Sequence, residues 1–93
     1  MDFDWDDANV GHLNERHNLT ADEAVEAFYA PMVLVTFQER HGEFRRIAVG
    51  RTRTGKCLVI VYVLRQQRIR ILTAFPGSKR YRQFYEERMG EHG

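Results

Sequence analysis

The residues of this 93-residue chain best suited to chemistry are the arginines of its second half. Arg46, Arg68 and Arg70 fall at alternating positions of strand-like runs, and so do Arg45 and Arg51. A guanidinium grips phosphate oxygens through paired N–H groups, and a tyrosine ring can stack a base. Such a set is suited to holding a ribose–phosphate chain. Cutting that chain without a metal needs three more things: a group to activate the 2′-hydroxyl, a group to protonate the leaving oxygen, and cations for the charge that develops between them. Charge stabilisers are plentiful here, whereas acid–base groups are few. His17 lies inside a patterned segment and near its end, which makes it the candidate acid or base; a histidine capping helix carbonyls fits the same position.

Other chemistries find less support. His12 and His17 are five residues apart, about 140° around a helix, and the chain has neither a cysteine pair nor an H-x-x-x-H spacing. No metal site is expected. Glycine-rich phosphate loops are missing and Ser78 has no elbow motif around it, so no cofactor is expected either. The single cysteine, Cys57, opens the apolar run Cys57–Leu64 and reads as a small buried hydrophobe. No apolar stretch approaches the ~20 residues that cross a bilayer, and the opening "MDFDWDD" is acidic where a signal peptide is basic. A cytoplasmic protein is the expectation. The net charge of +1 conceals a split: residues 1–43 carry a balance of −8 and residues 44–93 a balance of +9. A basic half attracts polyanions, of which nucleic acid is the commonest in a cell; mutual neutralisation of the two halves within the fold is the competing reading.

The elements that must position these residues follow from hydrophobic period. Val10, Leu13 and His17 share one face of a helix expected from Asp6 to His17, with Asn18 suited to end it. Thr20 and Glu23 form a capping box for a second helix that carries Ala24, Ala27 and Phe28, and Pro31 stops it. From Met32 the period becomes two. Four strands are expected: "MVLVTFQE", "EFRRIAVGRT", "KCLVIVYVLR" and "RIRILTAF", joined by "RHG", "RTG" and "QQ" turns. Pro76-Gly77 ends the last strand and Ser78 opens a closing helix, with Tyr81, Phe84 and Tyr85 on one face. The class is α+β in one domain, 1–93: two helices, a four-stranded antiparallel meander, one helix. With one sheet face covered, Ile69, Ile71 and Thr73 should meet the helices together with Ile47 and Val49. Arg46, Arg68, Arg70 and Tyr62 should then share an open face, flanked by Lys79, Arg80 and Tyr81 of the last helix.

These segments, in this order, resemble the BrnT-like toxins of bacterial type II toxin–antitoxin modules. The likeness runs through the Phe3-x-Trp5-Asp6 opening, the Arg16-His17 pair, the strand ending Ala48-Val-Gly-Arg-Thr52, the strand Gly55–Tyr62, "RIRILTA", and the closing Arg82-x-x-Tyr85-Glu86. The resemblance implies a RelE-like fold, metal-independent endoribonuclease activity on mRNA, and neutralisation by a cognate antitoxin. Carried over by position, it points to Arg16, His17, Arg45, Arg51, Arg70 and Thr73. Its basic position on the second strand lies nearer Arg45, while alternation favours Arg46, and both stay open. Where such proteins often carry an arginine, this chain has Phe75. That departure supports the alternative of a non-catalytic, decayed toxin that binds protein or RNA.

Overall fold

The computed structural model describes residues 2–4, 19–29 and 32–90. Within them a five-stranded sheet has the order β1-β5-β4-β3-β2. Its strands are β1 (Asp2–Phe3), β2 (Val33–Arg40), β3 (Glu43–Arg51), β4 (Cys57–Arg65) and β5 (Arg68–Pro76); the helices are α1 (Ala21–Tyr29) and α2 (Lys79–Gly90). The α+β class and the antiparallel meander β2–β5 agree with expectation. Among the described residues one helix precedes the meander, not two. The other, expected over residues 6–17, falls outside the described residues, as do Arg16 and His17.

Local chemistry explains the boundaries. In the expected capping box, the Glu23 amide donates to Thr20 Oγ1 (3.1 Å) and the Thr20 amide to Glu23 Oε1 (3.2 Å). The hairpins turn tightly through His41-Gly42 and Gln66-Gln67, with positive φ at all four residues, the geometry that matches the twist of the flanking strands. Gly55 also has positive φ (89°), as its turn position requires. The short β1 was not anticipated. Asp2 and Phe3 pair in parallel with Arg68 and Ile69, and two residues are too few to show a period.

The larger departure lies in the faces of the sheet. β4 is apolar on both alternations because both are covered. Leu58, Ile60 and Tyr62 pack with Leu19, Ala24 and Ala27 of the α1 region, and with Ala48, Ile69, Ile71 and Ala74. Cys57 and Val59 pack instead with Val49 and with Tyr85 of α2. Each fully buried Leu, Ile or Val contributes about 1.5–3 kcal/mol, so both layers matter. Two one-residue bulges adjust the registers. Val35 is the extra residue of β2, between the Leu34–Ala48 and Thr36–Ile47 pairs, and Leu72 is that of β5, between Ile71–Tyr62 and Thr73–Val61. The Leu72 bulge flips Thr73 away from the Ile69–Ile71 face.

α1 crosses the sheet at Gly50, where a Cβ would overlap the Ala27 carbonyl oxygen. A backbone atom cannot yield as a flexible side chain would. Gly50→Ala should therefore cost at least about 2 kcal/mol in chemical denaturation, and an unchanged midpoint would show that α1 can lift off the sheet.

Candidate active site

Paired strand residues share a face, so the registers sort the arginines. On the α2 side, successive rows across the sheet read Thr36–Ile47–Val61–Thr73 and Val33–Val49–Val59–Phe75, Arg51 pairs with Cys57, and the β2–β3 pairs Gln38–Arg45 and Arg40–Glu43 fall on the same alternation as the β4–β5 pairs Val63–Arg70 and Arg65–Arg68. Arg45, Arg51, Arg68, Arg70 and Thr73 thus lie on one face. Arg46 does not: it pairs with Phe37 and Tyr62 on the α1 side. This corrects the alternation argument, which put Ile47 and Val49 on the same covered face as Ile69 and Ile71; they belong to the α2 layer, and Arg45 shares Arg70's face. Tyr62, expected to face outward, is 9% exposed and meets Phe28 edge-to-face at 5.1 Å. Burial raises the pKa of its phenol, so it keeps its proton at neutral pH.

The arginine face is not the bare cradle that the sequence suggested. Val63, between Arg45 and Arg70, is fully buried. Arg70 Nη1 lies 3.4 Å from Asp4 Oδ2, and Arg68 donates to the Phe3 carbonyl at 3.0 Å with Asp4 4.0 Å away. Glu43 takes Arg65 in a two-point bridge of 2.6 and 2.7 Å, and the Arg65 guanidinium holds the Glu43 carboxyl below its usual range. The carboxylates come from the end of β1 and from β3, not from α1. Lys79 and Arg80 are exposed on α2, while Tyr81 packs edge-to-face on Phe75 at 6.5 Å.

Two poles result. Arg45, Arg70 and Thr73 form one, with the Cα atoms of the two arginines about 10 Å apart across β4. Arg45 Nε is buried and lacks a hydrogen-bond partner. Arg51 forms the other, about 20 Å further along β3. Its guanidinium lies over the Tyr85 ring (5.2 Å to the centroid) and donates to Glu86 Oε1 at 2.9 Å, while its Nε is buried without a partner. Beside it a cleft of about 540 Å³ is lined by Val25, Glu26, Tyr29, Arg51, Thr52, Arg53 and Tyr85. Tyr85, Glu86 and Arg53 had no site role in the sequence reading. The signal for the first two was present, because the Ala-Val-Gly-Arg-Thr strand end and the Arg-x-x-Tyr-Glu helix end meet here.

The Arg51 pole is held by its loop. Thr52, 6% exposed, shares a hydrogen bond with Thr54 (3.1 Å) and accepts the Lys56 amide on Oγ1 (3.1 Å). α1 clamps the same loop: Glu26 accepts the Arg53 amide at 3.0 Å, and Glu23 binds Lys56 Nζ at 2.7 Å. The acidic helix thus answers part of the basic hairpin's charge. Cys57, below this loop, is a buried thiol whose pKa burial raises, an inert group rather than a nucleophile.

The fold is thus an α+β domain with a basic sheet face and a cation–tyrosine–carboxylate cluster beside a cleft. Residues 5–80 match the family described as the ribonuclease toxin, BrnT, of a type II toxin–antitoxin system, and the chain belongs to that family. No curated protein matches the chain. No helix among the described residues is long and apolar enough to cross a membrane.

Lys56 holds the Glu23 carboxyl below its ordinary value of 4.5. A lowered folded-state pKa adds stability that is present above 4.5 and lost as pH falls through the depressed value. Glu23→Gln should be less stable than the parent at pH 7 by up to about 1 kcal/mol. The gap should close toward pH 2 in denaturant titrations; a gap that stays constant with pH would refute the linkage.

Proposed function

We propose that this ribonuclease toxin is an endoribonuclease that cuts mRNA in the cytoplasm without a metal and is neutralised by a cognate antitoxin. The observation that carries the reading is the Arg51–Tyr85–Glu86 cluster beside its cleft. A guanidinium fixed by a ring and a carboxylate is pre-positioned, so it loses little freedom when a phosphate arrives. In this scheme Arg51 meets the negative charge that builds on the phosphate as the 2′-hydroxyl attacks. Arg45, Arg70 and Thr73 hold the chain further along the same face, with Arg68, Lys79 and Arg80 adding attraction at its borders. His17 is assigned the acid–base role. We read the frame as RelE-like, on the strength of the resemblance and of the meander flanked by helices.

A second reading, a toxin that binds but no longer cuts, draws on Phe75. At the position where an arginine would stand, Phe75 packs on Tyr81 and lies opposite Val59, so that cation is replaced by core.

Cleavage of a labelled mRNA by the purified chain separates the two. Cleavage that persists in excess EDTA, with Arg51→Ala about a hundredfold slower and Arg70→Ala also impaired, both at unchanged thermal midpoint, is the expected outcome. RNA binding that weakens with salt, without any cleavage, would favour the second reading. Full activity in both variants would remove the arginine face from the mechanism.

A further inference from the structure

The face opposite the arginines holds an apolar surface that α1 leaves uncovered. Its rows read Leu34–Ala48–Ile60–Ala74, then Phe37–Arg46–Tyr62–Ile71, and finally Glu39–Phe44 beside Leu64–Ile69. α1 covers the first row from Ala48 onward, and Phe28 reaches Tyr62. Beyond them Leu34 (51%), Phe37 (59%), Phe44 (51%) and Leu64 (42%) stand exposed. Phe37 and Phe44 meet edge-to-face at 5.8 Å. Shallow hollows of about 370 and 350 Å³ lie on either side of Phe44, and Arg46 lines both. Arg46 makes no ion pair among the described residues, and neither does Glu39 at the rim.

We infer that this surface seats an amphipathic segment of the antitoxin, so that neutralising protein and RNA engage opposite faces of the sheet. The inference rests on the toxin reading above. Three features select the occupant. The largest apolar patch of a monomer, about 300–600 Å², is often functional, and these side chains form a single strip. A nucleic acid is disfavoured, since among the described residues the strip offers one cation without an ion pair, where a phosphate chain needs several. A second copy of the chain is disfavoured by area. Four half-exposed large side chains supply about 400 Å², half of the ~800 Å² per partner that a standard interface buries. A peptide segment makes up the difference by running along β2, whose outer edge has no strand neighbour among the described residues. The segment's chemistry follows from the seat: two or three large apolar side chains for the hollows on either side of Phe44, a carboxylate for Arg46 and a cation for Glu39.

The test titrates the purified protein encoded beside the toxin gene into the full chain and into the Phe37→Ser/Phe44→Ser double variant, by calorimetry. The same samples are assayed for RNA cleavage. Because both rings are more than half exposed, the variant should keep its thermal midpoint and its cleavage rate. Its antitoxin affinity should fall at least about thirtyfold, and cleavage should escape inhibition. Arg46→Glu should weaken binding in the same direction. Equal affinity of parent and double variant would overturn the inference. So would a dimer of the chain alone that the double variant dissolves, since the seat would then belong to self-association. A parent chain that binds the antitoxin but cleaves no RNA would sink the nuclease reading, while loss of binding in the variant would still uphold the docking surface.

Discussion

The strand Cys57–Arg65 buries side chains on both sides, and the placement of every other element answers to that. Leu58, Ile60 and Tyr62 demand cover on one side, Cys57 and Val59 on the other. One helix cannot provide both, so α1 and α2 lie on opposite faces and the sheet becomes a middle layer. Its outer strands then inherit two different environments. Apart from Arg46, the charges of β3 and β5 sort by register onto the α2 side, whereas the aromatic end of the β2–β3 hairpin projects past α1 on the other. A sheet with one wet face would have spread cations and aromatics over the same surface.

Much of the element order could be read from the sequence because it depends on local signals. The capping box at Thr20 and Glu23, the period of two from Met32, the turn residues at 41–42 and 66–67, and the break at Pro76-Gly77 each act within a few residues. The face assignments could not be read so easily. Alternation assigns a face only while pairing stays regular, and single-residue bulges at Val35 and Leu72 reset it. Nothing about valine or leucine announces a bulge. The sequence also suggested one covered face, when the all-apolar β4 was itself the signal for two. Arg46 and Tyr62 were misplaced for that one reason. The pairing of Arg51 with Tyr85 and Glu86 spans more than thirty residues, beyond the reach of any local pattern, although both motifs were visible.

The charge split between the halves of the chain has a mixed resolution. Glu23 and Glu26 of the acidic half do meet the basic β3–β4 loop, and Asp4 meets Arg68 and Arg70. Arg65 takes Glu43, the last carboxylate of the acidic half, whereas Arg51 takes Glu86 from the basic half. Exposed pairs of this kind are worth about 1 kcal/mol or less. They are therefore better understood as holding guanidinium groups in place than as holding the fold together, and a phosphate can displace such a carboxylate at small cost.

Phe75 bears on what a lost arginine means for such a site. In the row Val33–Val49–Val59–Phe75 it lies under Tyr81, in the apolar layer that seats α2. A guanidinium there would have to reach past the helix to water, or leave its N–H groups buried at a cost of about 1–3 kcal/mol or more. The phenylalanine instead extends the layer that fixes α2, and α2 is the element that presents Tyr85 and Glu86 to Arg51. Removing one cation from the middle of the face thus strengthens the support of the cluster at its end. On this argument Phe75 is compatible with the chemistry proposed at Arg51, because it supports the helix that completes that cluster.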